Sequence, residues 1–359
     1  MKKVAVSLLL IGYAFLANAQ NTVCFTVQSN PKIGVTAFSG FTKYVSVLSC
    51  FEIYAEPSIP DSIVLHAAAV AAELLDNDED GVVDDILIKT ELALSEAMMP
   101  IFSADGSAAE NTFFNNYMGG GVGAVLYLYE MDPSSTGYWG ADATVEEIIH
   151  TINGKGHAIV YPAAFSPGVG SSLMSVAMDV ARGGQFLTIP TPYPGSAWYH
   201  YDDTTCDYEC MAIEYFYWSE VTNMGILNDV ATCSGIANEW EPCSPALLQS
   251  TDVLMYNLIT DPQYKIPQNA PDGNYCPVAL GIQDEIENFD FDLFPNPVSG
   301  LLTVRLSEES DVTIFDTRGK LIRSYNKEDG DLKIDVSSIS RGVYIVRVKN
   351  KVKKLILSK

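Results

Sequence analysis

The chain is poor in positive charge. Its 359 residues carry 21 Lys and Arg against 45 Asp and Glu, a formal net charge of −24. Nucleic acids and anionic membrane surfaces both recruit Lys and Arg, so neither is an expected partner. Histidine is scarce, with four in the whole chain. Beyond residue 19 no run reaches the roughly 18 unbroken apolar residues of a membrane-spanning helix. There is no Gly-x-Ser-x-Gly elbow to seat a hydrolase serine. There is no Cys-x-x-Cys pair either, which argues against a zinc–thiolate cluster. Gly119-Gly120-Gly121-Val122-Gly123 comes before an apolar strand-like run. A phosphate loop has the opposite order, following a strand and opening a helix. No internal repeat is visible. The chain is 48% hydrophobic, which excludes disorder throughout and leaves ample material for a core.

The charge is unevenly spread. Residues 289–359 hold 13 basic and 10 acidic residues, whereas residues 20–288 hold 6 and 35, a net of −29. So abrupt a shift marks a domain boundary. The start reads as a signal peptide over 1–19: Lys2 and Lys3, an apolar Val4–Leu16, then Ala17-Asn18-Ala19 for cleavage before Gln20. The expected organisation is a signal peptide (1–19), a passenger domain (20–280), an acidic linker (281–292) and a small tail domain (293–359).

The tail reads as all-β. Leu301–Leu306, Asp311–Asp316, Leu332–Val336, Gly342–Val348 and Lys353–Lys359 are short, partly alternating and separated by turn residues, as in an Ig-like sandwich. Four of its segments carry a resemblance: Phe294-Pro295-Asn296-Pro297-Val298-Ser299-Gly300, Phe315-Asp316-Thr317-Arg318-Gly319, Ser340-Arg341-Gly342-Val343-Tyr344 and Lys353-Lys354-Leu355. In this order they resemble the type A C-terminal sorting domain of type IX secretion cargo. The resemblance implies recognition by the type IX machinery and passage through the periplasm to the outer-membrane surface or the medium. It says nothing about the passenger's activity. Seven cysteines agree with an oxidising destination. Cys24–Cys50 and Cys233–Cys243 are the pairs to try first, with one thiol left over.

The passenger reads as α+β. Helices are expected over Asp61–Leu75, Ile86–Met99, Thr144–Ile152, Ser171–Arg182, Asp207–Thr222 and Ser244–Leu258. Strand-like runs lie at Tyr44–Leu48 and Ala124–Tyr129. Pro190–Tyr201 is an aromatic loop. Its end, Trp198 to Asp203, either packs or lines a cleft. His66 reads as a core residue. Ser166, Ser171 and Ser172 read as turn residues, and Asp179 with Arg182 as an i, i+3 pair.

The strongest chemical motif is Asp76-Asn77-Asp78-Glu79-Asp80-Gly81-Val82-Val83-Asp84-Asp85. Asp76, Asp78 and Asp80 fall at positions 1, 3 and 5 of a calcium loop. Gly81 takes the turn at 6, the Val82 carbonyl position 7 and Asp84 position 9. Leu87 stands where an EF-hand has its bidentate Glu, so the loop is more similar to those of thrombospondin type 3 repeats and dockerins. Calcium is the expected ion, in a structural role.

The second constellation is Glu146-Glu147-Ile148-Ile149-His150, with His157 seven residues on. On a helix Glu146 and His150 share a face with Glu147 beside them. The segment resembles a zincin His-Glu-x-x-His helix with Glu146 in place of the first histidine. Gly154 and Gly156 would let the chain turn and return His157, roughly as in the extended metzincin motif. The resemblance implies zinc on Glu146, His150 and either His157 or Glu214, with Glu147 as the base acting on a peptide. The alternative is a non-catalytic, calcium-binding surface protein that binds a partner or polymer, its Glu and His residues serving helix stability and packing.

Overall fold

The computed structural model describes residues 24–133, 142–277, 291–316, 320–349 and 351–358. The signal segment, the linker up to residue 290 and the 317–319 turn lie outside the described residues. The chain divides into two compact units, Met1–Ala279 and Leu280–Lys359.

The first unit is built on a five-stranded mixed sheet in sequential order: β1 (Gln28–Ser29), β2 (Lys43–Val47), β3 (Phe51–Ala55), β4 (Met98–Phe102) and β5 (Leu126–Tyr127). The first three run antiparallel, and β4 and β5 continue parallel to β3. Parallel strands need a crossover, and α1 (Asp61–Leu75) and α2 (Ile86–Leu94) supply it between β3 and β4. Helix α1 is apolar on nearly every face and accordingly buried, with twelve of its fifteen residues in the core. The helix expected over Ile86–Met99 stops at Leu94. Met98-Met99-Pro100-Ile101-Phe102 is instead a strand buried at every position. A short apolar run does not distinguish a doubly covered strand from a helix end. Gly121 fits against this strand's start: a Cβ there would lie 2.0 Å from the Glu96 carbonyl oxygen.

After β5 and its short 3₁₀ turn the unit is helical: α3 (Ala108–Asn116) before it, then α4 (Thr144–Ile152), α5 (Ala158–Val160), α6 (Pro162–Phe165), α7 (Leu173–Ala181), α8 (Tyr208–Asn223), α9 (Val230–Ile236), α10 (Pro245–Thr251) and α11 (Val253–Ile259). The single helix expected over Ser244–Leu258 is two. Asp252 breaks it, capping α11 at Met255 N–H while accepting from Trp198 Nε1 (2.9 Å) and Tyr215 OH. Helix α4 packs on α1, β4 and α8 through Val145, Ile148, Ile149 and Ile152. Its opposite face carries Glu146, Glu147 and His150, so burying the apolar stripe aims these three together.

Three cystines hold this unit: Cys24–Cys276, Cys206–Cys210 and Cys233–Cys243. Cys50 does not pair with Cys24. It is the buried free thiol, because strand β3 begins beside it and carries it into the core, while Cys24 meets the end of the domain.

The second unit has two antiparallel sheets. One is β10 (Asp331–Asp335), β7 (Leu301–Arg305) and β6 (Asp292–Phe294). The other is β12 (Lys351–Leu357), β11 (Gly342–Val348), β8 (Ser310–Asp316) and β9 (Leu321–Glu328). Alternate residues of the strands, among them Leu302, Val304, Val312, Ile314, Val346 and Val348, form its core. Strand β9 was not among the expected strands, since Leu321-Ile322-Arg323-Ser324-Tyr325-Asn326 alternates only weakly.

Candidate metal centre and acidic cleft

Asp142 starts the site. It is buried, receives the Thr144 backbone N–H at 3.1 Å and hydroxyl, and pairs with His66 Nε2 at 2.8 Å. His66 is thus a core residue with a partner on the segment that opens α4. Asp142 is held below the usual carboxylate range: burial opposes this, but the His66 and Thr144 hydrogen bonds outweigh it.

One turn along α4, ligand atoms of Glu146, Glu147 and His150 lie within 4.8 Å of one another. His150 Nδ1 is 3.6 Å from Glu147 Oε2, and its Nε2 is 3.7 Å from Glu214 Oε2 on α8. The Tyr217 ring meets the imidazole edge-on. His150 Nε2 is buried without a hydrogen-bond partner. Burial opposes charge on His150, but Glu147, Glu214 and Glu146 together raise its pKa to about 9. Burial, with Glu214, Glu147 and Glu130, raises Glu146 to about 7, against the pull of His150. Glu214 is raised as well, first by burial.

His157 stands apart from this group. The chain does not turn back at Gly154 and Gly156. It continues as a π-helical turn, Asn153–His157, into α5. Seven residues of helix separate the two imidazoles by about 10 Å along the axis. His157 is buried against Phe165 and Phe216, neither ring nitrogen makes a well-formed hydrogen bond, and burial lowers its pKa to about 4 against the opposing pulls of Asp85 and the Tyr264 backbone.

Glu146 and Glu214 line a cleft of about 300 Å³ with Glu130, Asp142, Asp202, Asp203 and Glu239. Trp218 and Tyr201 supply its aromatic wall, and among the described residues no basic side chain lines it. The Trp198–Asp203 loop both packs and lines: Tyr199 is buried with its hydroxyl on the Met211 carbonyl, while Tyr201, Asp202 and Asp203 face the cleft. Glu130, Asp142 and Glu239 were not legible as site residues. They are single acids on separate segments that only the fold gathers. Arg182 does not pair with Asp179. It stacks on Phe186 and Tyr193 and donates to the Phe186 carbonyl at 2.8 Å, while Asp179 accepts from Tyr208 and Gln185.

The loop after α1 brings ligand atoms of Asp76, Asp78 and Asp84 within 4.8 Å of one another. Gly81, at φ +93°, makes the sharp turn. Asp80 turns its carboxylate to the Val82 N–H (2.8 Å), and the Val82 side chain is exposed. Asp76, fully buried, accepts from Gly81 N–H (2.8 Å) and the Tyr275 hydroxyl. Burial raises Asp84, with Asp78 and Asp76 adding repulsion. Asn77 binds the backbone of Gln268 and Asn269, and Glu73 accepts from the N–H groups of Asp272 and Gly273. The loop therefore clasps the end of the domain next to Cys276.

Residues 292–358 match the family model described as the secretion system C-terminal sorting domain. The tail is a type IX sorting domain. Its two antiparallel sheets are the fold of this sorting domain, and the sorting domain directs the chain through the type IX machinery to the cell surface or the medium. The cystines suit that destination. Among the described residues no helix is long and apolar enough to cross a membrane. No curated protein matches the chain.

Proposed function

We propose that the passenger is an exported, calcium-stabilised metallohydrolase of zincin-like design acting on peptides. Glu146, His150 and Glu214 would hold a zinc-class ion and Glu147 would serve as base. The convergence of these four side chains between α4 and α8 supports the reading, with a buried His150 Nε2 that makes no hydrogen bond among them. Carboxylate oxygen and imidazole nitrogen are both legitimate zinc ligands. His157 has no part in this set. When bound, the ion would lower the pKa of water and polarise a carbonyl. The chain's own residues do the rest. Glu147, on the same helical turn, is placed to hold a proton. The cleft carboxylates would orient a substrate with cationic groups.

Asp76, Asp78 and Asp84, with Asp80 and Val82 in the same turn, would hold calcium. Three carboxylates so close repel one another unless a cation lies among them.

One observation favours a second reading. A protonated His150 already gives Glu147 and Glu214 a shared counter-charge, so the cluster has a cation of its own without a metal. The passenger would then be a calcium-binding surface protein whose acidic cleft takes a partner or polymer. Glu147→Gln decides between them. Under the first reading it abolishes hydrolysis of a peptide library while the melting temperature holds. A wild-type protein that cleaves nothing in the presence of zinc contradicts that reading.

A further inference from the structure

A second cavity, of about 460 Å³, is lined by His150 and, among the described residues, by no carboxylate. Its size lies within the range of small-molecule sites. The wall is apolar: Phe165, Met174 and Phe216 are buried there, and Ile159 and Ile213 carry the apolar surface outward to solvent. One side is the π-helical turn, which presents Asn153, Gly154 and Lys155. Such turns are rare and recur at functional sites. Lys155 is one of only six basic residues among the 269 from 20 to 288. Among the described residues it has no ion-pair partner, and burial alone pulls its pKa below the usual lysine value.

Lys155 is partly buried beside this apolar wall, and an anion held against its ammonium would gain a charge-assisted hydrogen bond. The cavity wall holds two nitrogen bases, but His150 already faces Glu147 and Glu214, so Lys155 is the cation left for a ligand, which suits a single negative charge. A dianion would stay half-neutralised in a domain of net −29. We propose that this cavity binds an amphipathic monocarboxylate, its apolar part between Phe165, Met174 and Phe216 and its carboxylate on Lys155. The proposal needs no metal and stands independently of the hydrolase reading.

Gly154 provides the test. Gly154 lines the cavity and a Cβ built there meets nothing within 4 Å, so Gly154→Leu adds apolar bulk at the cavity wall with no clash at its Cβ and improves helix propensity. Calorimetric titration of the full exported protein would use dodecanoate, N-acetyl-Leu-Phe with a free carboxylate, and dodecan-1-ol as the uncharged control. Saturable binding of an acid is expected, lost in Gly154→Leu at an unchanged or raised melting temperature. Lys155→Met should weaken it about tenfold or more. Binding of dodecanoate alone identifies a lipid-derived acid, and binding of the dipeptide alone a peptide C-terminus. The proposal is overturned if neither acid binds, if the alcohol binds as tightly, or if Lys155→Met leaves affinity unchanged. The last criterion holds even if Gly154→Leu fails to fold.

Discussion

The cystine Cys24–Cys276 joins residues 252 apart, so it closes almost the whole passenger into one loop. Cys233–Cys243 and Cys206–Cys210 close segments of 10 and 4 residues. In the chain-entropy account a crosslink acts on the unfolded ensemble, by an amount growing with the logarithm of loop length. The three bonds then contribute about 5.5, 2.7 and 1.9 kcal/mol respectively. Cys24 and Cys276 stay near each other without the bond: Cys24 N–H donates to the Tyr275 carbonyl at 3.2 Å, and the Phe25 and Tyr275 rings stack at 5.8 Å. Replacing both cysteines with serine should therefore leave the native fold intact and lower its stability. All four tryptophans lie in the passenger and none in the sorting domain, so tryptophan fluorescence in a guanidinium titration reports passenger unfolding alone. The midpoint should fall most for Cys24→Ser/Cys276→Ser, less for Cys233→Ser/Cys243→Ser and least for Cys206→Ser/Cys210→Ser. A larger loss from either short loop would refute the entropic reasoning and place the effect of these bonds in native-state contacts.

Three further outcomes are expected. Calcium at a hundred times its dissociation constant stabilises by about 2.7 kcal/mol, or roughly 5–10 °C in a domain of this size; EGTA should lower the wild-type melting temperature by that amount, and Asp78→Ala/Asp80→Ala should lower it without further response to EGTA. Glu220 is fully buried, with one oxygen on Asn153 at 3.2 Å and the other unpartnered; burial raises its pKa from 4.5 to about 8, against the pulls of Asn153 and His150. Between those values the folded protein holds a proton that the unfolded chain has released, so stability falls as pH rises from about 4.5 to 8. Glu220→Gln should flatten that fall, its melting-temperature advantage growing up to pH 8 and then levelling; a constant difference across the range would show that Glu220 does not titrate there. Deleting residues 292–358 should leave the protein inside the outer membrane, which cell fractionation would show, and its appearance in the medium would contradict the sorting assignment.

The parts of the fold written in local pattern were legible. Asp61–Leu75 is Ala- and Leu-rich without a breaker, and the helix has those bounds. Thr144–Ile152 has one sharp apolar stripe, and its period alone put Glu146 and His150 on one face. The Asp76–Asp84 spacing likewise gave the turn at Gly81. What depended on distant partners was not legible. Met98–Phe102 became a strand because β3 and β5 flank it. Asp252 breaks a helix because Trp198 and Tyr215 reach it from elsewhere in the chain. Cys24 pairs with Cys276 because the two ends of the passenger meet. The Gly154–Gly156 segment reads as a hinge by composition, yet packing of Gly156 against Ile88 and Leu92 keeps it helical, which removes His157 from the cluster. Both cavities are of the same kind: their walls come from segments that sequence proximity does not connect.

A metal on Glu146, His150 and Glu214 would show in elemental analysis of the mature protein, purified without added metals or chelators, beside His150→Ala. Calcium is expected in both samples and near-stoichiometric zinc in the wild type alone. Calcium with no transition metal in either sample would contradict it and leave His150 as the buried counter-charge of its glutamates.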